Sequence, residues 1–325
     1  MVHLGRSAAR DPSTGDPSTD DRTRRHHAQP DTESQRFAVT MSYLDRLAAR
    51  SSATGTVLCL GLDPDPATLP DGFAADLAGL ERFAALVIQA AGPVAAAIKP
   101  NLAFFEAYGS AGMGALERLR ALIPADLPVI ADAKRGDIGS TAARQAVALF
   151  DALGADAVTV SPYLGATAIG ALLERIDRFA YVLCRTSNPG AGELQDLVVA
   201  ADASSGAPRE RLHERVARLA ATWGPGGTVG LVVGATAPHE LARIRRIAPG
   251  LPFLVPGVGA QGGEVAPVLA DGPASGVPGA SRPGGGLLVN VSRGIAGAAG
   301  KGPGDPFERI AAAAADWAAR LPVLP

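Results

Sequence analysis

The sequence has few cysteines and few histidines, and each shortage excludes a kind of site. Its two cysteines, Cys59 and Cys184, lie in unrelated segments, which excludes a disulfide framework and a cysteine-rich zinc site. Three of the five histidines fall within the first forty residues, which leaves His213 and His239 for the rest of the chain. We expect no metal site and no histidine triad, because both need imidazoles that converge from neighbouring elements.

Charge and hydropathy exclude two classes of partner. Thirty basic and thirty-two acidic side chains leave a net charge of −2, so the chain has no basic excess with which to bind nucleic acid. The longest apolar stretch, residues 84–98, is interrupted by glutamine, glycine and proline, and it is too short for a clean membrane span. We therefore expect a cytoplasmic protein with neither a nucleic-acid nor a membrane partner.

The composition changes near residue 40. Residues 1–40 are rich in Ser, Thr, Asp, Arg and Pro and have neither apolar periodicity nor the hydrophobic core of a signal peptide, which predicts a disordered tail. Residues 41–325 are expected to form a single domain. Within it, the Gly/Pro/Ser-rich residues 271–285 are predicted to be a flexible surface insert.

Apolar β-type runs alternate with Ala/Leu-rich helical segments after residue 41, a pattern typical of α/β proteins with a parallel sheet. Eight such units predict a (β/α)₈ TIM barrel, and a doubly wound sheet of eight strands is the alternative. Polar residues end nearly all of the runs, which favours the barrel because a barrel gathers these ends into one ring. The runs span residues 56–63, 95–101, 128–135, 157–162, 180–187, 228–236, 252–258 and 286–293.

Lysine is scarce, and its placement points to chemistry. Arginine supplies all but three of the basic groups, yet lysines stand at the ends of two predicted strands, Lys99 and Lys134. An ammonium, unlike a guanidinium, can readily give up a proton. Asp132 lies two residues before Lys134 and leaves the same face of the strand, Asp137 follows a turn, and Asp63 ends the first run. These residues predict alternating charges around one mouth of the barrel, with a structural salt-bridge network as the alternative.

Two further loops have the composition of ligand sites. The glycine-rich residues 256–263 precede a predicted helix and offer backbone N–H groups to an anion, with Gln261 as an amide donor. Arg293 follows the eighth run, and the loops after strands seven and eight commonly hold phosphate in barrels. After the fifth run, Thr186 or Ser187 could hydrogen-bond the polar edge of a flat ligand, although a simple Pro/Gly turn is the alternative.

The motifs resemble the bacterial branch of the orotidine 5′-phosphate decarboxylase family over residues 41–320. The resemblance implies a (β/α)₈ homodimer that releases CO₂ from orotidine 5′-phosphate to give UMP in de novo pyrimidine biosynthesis. It also implies that the reaction uses neither a metal nor an organic cofactor. The motifs are DAKRGDIGSTA (132–142), LGLDP (60–64), IKPN (98–101), TSNPG (186–190), PGVGAQGG (256–263) and NVSRG (290–294).

The resemblance assigns roles within the charged set. It implies that Lys134 is the proton donor and that Asp132 lies beside the substrate carboxylate. Asp63 and Lys99 would hold the ribose hydroxyls and tie into the same network.

The resemblance also assigns roles outside that set. Asp137 and Thr141 would reach into the active site of the partner subunit, so that the two sites are shared. Ser187 would contact the pyrimidine, and Gln261 and Arg293 would hold the phosphate.

Two other functions remain compatible with the sequence. The related 3-keto-gulonate-phosphate decarboxylases share the Asp-x-Lys-x-x-Asp element but use magnesium. A non-catalytic protein that binds phosphate ligands would bind UMP without converting the orotate nucleotide.

Overall fold

Eight parallel strands form a single sheet in the described part of the protein, which confirms the predicted barrel. The structure is a computed structural model that describes residues 41–201, 204, 206 and 208–324. Each predicted run corresponds to one observed strand. The strands are β1 (Leu58–Leu62), β2 (Ala97–Pro100), β3 (Ile130–Arg135), β4 (Ala157–Val160), β5 (Phe179–Arg185), β6 (Val229–Val233), β7 (Phe253–Pro256) and β8 (Leu288–Val291).

The sheet closes on itself. Hydrogen-bonded neighbours follow the order β2-β1-β8-β7-β6-β5-β4-β3. Strands β2 and β3 then meet through parallel bridges that pair Ile98 with Val129 and Asn101 with Asp132. A doubly wound sheet would leave its two edge strands apart, so that alternative is excluded.

Helices connect the strands, as the alternating pattern predicts. The connection from β5 also contains a short antiparallel ribbon, Val198–Val199 with Glu210–Arg211. The α-helices of the described residues are α1 (Tyr43–Thr54), α2 (Leu77–Ala91), α3 (Ala103–Glu106), α4 (Gly109–Leu122), α5 (Gly139–Ala146), α6 (Gly170–Leu173), α7 (Ala191–Gln195), α8 (Leu212–Ala220), α9 (Pro238–Ile247), α10 (Val265–Asp271), α11 (Arg293–Ala296) and α12 (Pro306–Arg320).

The interior of the barrel has its own apolar core, closed at the amino-terminal end by α1. All eight strands contribute buried side chains to this cluster, so it lies inside the closed sheet. Tyr43 of α1 stacks on Phe179 with 4.8 Å between ring centroids, and its hydroxyl lies 3.1 Å from that of Tyr181. Leu44 and Leu47 join the same cluster. The functional groups are therefore confined to the carboxyl end of the barrel.

A second, larger core fills the space between the strands and the outer helices. The segment Leu77–Val94, which contains α2, is long and apolar enough to cross a membrane by length and composition. Its residues Leu80, Phe83 and Val87 are buried in this core. Helix α2 is therefore explained as a core helix of the barrel.

The predicted insert, residues 271–285, is hydrogen-bonded to the turn after α9. The N–H groups of Ser275 and Gly276 donate to Pro249 O, both at 2.9 Å. The guanidinium of Arg245 stacks on Phe253, 3.6 Å from the ring centroid. Burial lowers the pKa of Arg245 to about 9. The mobility of the insert stays a prediction, and the predicted tail, residues 1–40, lies outside the described residues.

Candidate active site

A cavity of about 480 Å³ opens at the carboxyl end of the barrel. Lys99, Asp132, Thr159 and Asn290 line it, and each lies two residues after a strand residue of the interior core. Since side chains alternate along a strand, these residues form the next layer above that core. The lining residues are Asp63, Lys99, Asn101, Asp132, Lys134, Thr159, Leu183, Thr186, Ser187, Asn188, Gln195, Val232, Leu254, Pro256, Gln261 and Asn290.

Asp132 is the centre of an ion network in this cavity. Lys99 Nζ donates to Asp132 Oδ2, and Lys134 Nζ donates to Asp132 Oδ1 at 2.5 Å. The Thr159 hydroxyl donates to the same Oδ1 at 3.0 Å. The Lys99 and Asp132 side chains are buried, whereas that of Lys134 is 51% exposed. Lys134 is thus the member of the network that is open to a ligand.

The ion pairs fix the charge of the two buried members. Burial by itself raises the pKa of Asp132, but the ammonium groups of Lys99 and Lys134 outweigh it and hold that pKa well below its usual range. Burial lowers the pKa of Lys99, but the carboxylates of Asp132 and Asp63 outweigh it and raise that pKa above its usual value. Asp132 is therefore an anion and Lys99 a cation at neutral pH.

A bulge in β3 presents Lys134 to the cavity. Ala131 pairs with Val158, whereas Arg135 pairs with Val160, so β3 carries two additional residues between the two pairs. Lys134 lies there in the left-handed region, with φ at 50°. Its N–H and that of Ala133 both donate to the Thr159 hydroxyl, at 3.0 and 3.1 Å. Thr159 therefore stabilises both the carboxylate and the backbone of the network.

The loop after β5 forms another wall of the cavity. The Gln195 amide accepts the Thr186 N–H at 2.9 Å and donates to the Thr186 hydroxyl at 2.8 Å. That hydroxyl donates to Asn188 Oδ1 at 2.6 Å. Ser187 lines the cavity but is not part of this network. Of the two hydroxyls suggested by the sequence, Ser187 is the better placed for a ligand.

A smaller cavity of about 70 Å³ adjoins the first. Residues 256–258 and 260–261 line it from the glycine-rich loop, and Arg293 lines it from the start of α11. Trp317 packs behind it: a β-carbon at Gly259 would lie 3.0 Å from Cη2 of the indole, and one at Gly294 would lie 2.8 Å from Nε1. Backbone N–H groups, an amide and a guanidinium suit an anion such as phosphate.

The family model for orotidine 5′-phosphate decarboxylase / HUMPS matches residues 56–303. The chain belongs to this family. It is 44% identical to the orotidine 5′-phosphate decarboxylase of Herpetosiphon aurantiacus over 259 residues, 79% of this chain and 90% of that protein. It is 48% identical to the one of Halorubrum lacusprofundi over 286 residues, 86% of this chain and 97% of that protein. The resemblance drawn from the motifs is confirmed.

Solved structures of orotidine 5′-phosphate decarboxylases share the fold. The OMP decarboxylase of Leishmania donovani has a TM-score of 0.71 and 38% sequence identity and covers 86% of this chain and 97% of its own. A second structure, from Toxoplasma gondii, has a TM-score of 0.74 and 36% identity and covers 86% and 94%. Both share the barrel fold described above.

Two of the residues suggested by the resemblance to orotidine 5′-phosphate decarboxylase lie outside both cavities of this chain. Asp137 accepts the Ile138 N–H at 2.8 Å, and its own N–H donates to Ala168 O at 3.0 Å. Thr141 is exposed in the first turn of α5. The other residues, namely Asp63, Lys99, Asp132, Lys134, Ser187, Gln261 and Arg293, line one cavity or both.

The structure adds lining residues to this decarboxylase site that the sequence interpretation missed. Asn101, Asn188 and Asn290 all line the larger cavity, and they are the only three asparagines in the sequence. Asparagine is as scarce in this sequence as lysine, so the argument that singled out the lysines could also have singled out these asparagines. Thr159 and Gln195 carry no such signal, because their partners become neighbours only in the folded barrel.

Proposed function

We propose that Lys134 is the proton donor with which this chain decarboxylates orotidine 5′-phosphate to UMP. The reaction is a step of pyrimidine biosynthesis and makes the chain a carboxy-lyase. The proposal rests on one observation above all: Lys134, Asp132 and Lys99 form one ion network in a cavity that adjoins an anion pocket.

The network suits a reaction that creates a carbanion. When the bond between C6 of the pyrimidine and its carboxylate breaks, CO₂ leaves and the electron pair stays on C6. The Lys134 ammonium stabilises that charge and then transfers a proton to C6, which forms the C–H bond of UMP. Asp132 orients Lys134 and lies close to the departing carboxylate. The proposed chemistry requires neither a metal nor an organic cofactor.

The two cavities suit the two ends of the substrate. The pyrimidine and ribose would occupy the larger cavity, where Ser187 hydrogen-bonds the base and Asp63 and Lys99 hold the ribose hydroxyls. The phosphate would occupy the smaller one, held by Gln261 and Arg293. Binding energy gained at the phosphate then helps to align the reacting carbon.

Replacing Arg293 by alanine is expected to weaken substrate capture. The guanidinium lines the phosphate pocket and is exposed, so its loss should lower kcat/KM about 100-fold while the fold persists. Steady-state kinetics with orotidine 5′-phosphate measures the change, and Arg82→Ala, at an exposed residue that lines neither cavity, serves as the control. An unchanged kcat/KM would remove Arg293 from the phosphate pocket.

We also propose a homodimer with shared active sites. Ile138, Tyr163 and Leu164 are large apolar side chains that are 65%, 79% and 55% exposed. Ile138 lies between Asp137 and Thr141, the two residues that the resemblance places in the partner's site. An exposed apolar surface of this kind is typical of an interface, and burying it would bring both residues to a second copy.

Mixing two inactive variants tests the shared site. Asp137→Ala and Lys134→Ala subunits are each expected to be inactive alone. After exchange, a heterodimer would contain one site with both residues intact, so about a quarter of wild-type activity should return in an equal mixture. Light scattering or native mass spectrometry establishes the exchange. Proven exchange without recovered activity would contradict shared sites.

We place the reaction in the cytoplasm. Both cysteines, Cys59 and Cys184, are free and buried, and burial raises the pKa of each thiol to about 12. Unpaired thiols are typical of reducing compartments such as the cytoplasm.

Incubation with orotidine 5′-phosphate and EDTA tests the proposed function. Loss of the orotate absorbance with stoichiometric release of CO₂ and UMP is the expected result. Dependence on added magnesium would favour the 3-keto-gulonate-phosphate decarboxylase type of enzyme. Binding of UMP with no conversion of the orotate nucleotide would favour a non-catalytic binding protein.

A further inference from the structure

Thr159 lines the larger cavity, but its hydroxyl has no hydrogen-bonding capacity left for a ligand. It lies in β4 and is buried. A hydroxyl has one proton to donate and two lone pairs with which to accept. The proton goes to Asp132 Oδ1, and the lone pairs accept the N–H groups of Ala133 and Lys134. Thr159 can therefore influence a reaction in this cavity only through the residues that it holds.

This one hydroxyl holds Lys134 at both ends. At the backbone end, the Lys134 N–H donates to it at 3.0 Å. At the ammonium end, Nζ donates to Asp132 Oδ1, the same carboxylate oxygen that accepts the Thr159 proton. The other carboxylate oxygen, Oδ2, accepts from Lys99. Loss of the hydroxyl would release the backbone of Lys134 and would also free the oxygen that receives its ammonium.

The backbone of Lys134 needs this support. Among the described residues, Lys134 is the only one other than glycine with a positive φ. The left-handed conformation is unfavourable for such a residue, because its β-carbon comes too close to the following carbonyl oxygen. Thr159 lies between Val158 and Val160, the two β4 residues whose partners flank the bulge in β3. Its hydroxyl is therefore placed to stabilise the irregular part of that strand.

The side chain of Lys134 needs the same support. It is 51% exposed and has a flexible stem of methylene groups, so it would adopt many rotamers if its ends were not fixed. Proton transfer requires Nζ at a defined distance from the reacting carbon, and a displacement of about 1 Å can lower a rate about 100-fold. A group that fixes both ends of this lysine therefore affects the rate of the chemical step.

We propose that Thr159 is a positioning residue for the decarboxylation, which fixes Lys134 Nζ for proton transfer without contacting the substrate. It holds the lysine backbone in the left-handed conformation and orients the Asp132 oxygen that receives the ammonium. The inference rests on the proposed function, because it requires that Lys134 donates the proton. It predicts a loss of turnover rather than of affinity, since Thr159 does not line the phosphate pocket.

Thr159→Val removes the hydroxyl and keeps the branched shape of the side chain. Its kcat for orotidine 5′-phosphate is expected to fall about 100-fold, whereas the Kd of UMP should stay within about threefold of the wild type. Thr159→Ser keeps the hydroxyl and should have a kcat within about fivefold of the wild type. Absorbance kinetics measures kcat, and calorimetry measures the affinity for UMP.

Thr56→Val is the matched control. The Thr56 hydroxyl is also buried, donates to Leu321 O at 2.6 Å and accepts the Leu58 N–H at 3.1 Å. Thr56 precedes β1 and lines neither cavity. Its substitution should lower the Tm and leave kcat unchanged. Thr159→Val would behave in the same way if its hydroxyl had only a structural role.

A kcat of Thr159→Val within about threefold of the wild type would overturn the inference and leave the proposed function standing. A Thr159→Ser enzyme as slow as Thr159→Val would also overturn it, because the hydroxyl would then not be what sustains turnover. If Thr159→Val does not fold, Thr159→Ala replaces it in the same comparison with Thr159→Ser. A wild-type protein that does not convert orotidine 5′-phosphate would overturn the proposed function itself.

Discussion

Lys134→Ala is expected to lower kcat for the decarboxylation of orotidine 5′-phosphate by about 10⁵-fold. The variant loses the general acid, an effect of about 10²- to 10⁴-fold, and the positive charge beside the developing carbanion, an effect of about 10²- to 10³-fold. Its stability should change little, since half of the Lys134 side chain is exposed. UMP should still bind, because the phosphate pocket does not involve this residue.

Absorbance kinetics on the purified variant measures this loss, and circular dichroism verifies the fold. Lys301→Ala is the matched control, as the remaining lysine is exposed and lines neither cavity. We expect it to keep wild-type turnover. Turnover of Lys134→Ala within tenfold of the wild type would rule out the proton-donor role.

Asp132→Asn is expected to lower kcat about 10³-fold and to reduce the free energy of unfolding by about 3 kcal/mol at pH 7. The substitution keeps the shape of the side chain but removes the charge that balances Lys99, whose side chain is buried. It also removes the carboxylate that orients Lys134. Urea unfolding and steady-state kinetics measure the two effects.

The pH dependence separates charge from packing in this variant. Because the folded pKa of Asp132 lies below its unfolded value of about 4, its contribution to stability is present above that pH and is lost as the pH falls. The difference in stability between wild type and Asp132→Asn should therefore shrink from pH 7 to pH 3. Asp151→Asn, which breaks an exposed pair with Arg175, should have little effect at either pH. A difference that stays constant with pH would assign the loss to packing.

The barrel could be predicted because its strands are almost wholly apolar and end in polar residues. Continuous apolar runs are typical of strands that are buried on both faces of a parallel sheet, and all eight runs correspond to strands in the structure. The predicted runs are longer than most observed strands, as in 56–63 against Leu58–Leu62. The additional residues lie at the strand ends, where some still pair with a neighbouring strand, as Asn101 does with Asp132, and others enter the connections.

The site could be predicted only in part, for a physical reason that differs between residues. Simple alternation along a strand predicts that Asp132 and Lys134 share one face, and both line the cavity. The bulge that turns Lys134 into the left-handed region depends on the Thr159 hydroxyl, 25 residues away in the sequence. The buried Oδ1 of Asn290, which has no hydrogen-bond partner among the described residues, is likewise recognisable only once β1 and β8 are adjacent. Such features arise from tertiary contacts, which no local pattern encodes.

Tyr43 and helix α1 close the amino-terminal end of the barrel, which limits how ligands reach and leave the active site. Because the amino-terminal end is closed in the described part of the chain, orotidine 5′-phosphate enters, and CO₂ and UMP leave, at the carboxyl end of the barrel. Bound UMP must therefore leave through the same opening before the next orotidine 5′-phosphate can enter.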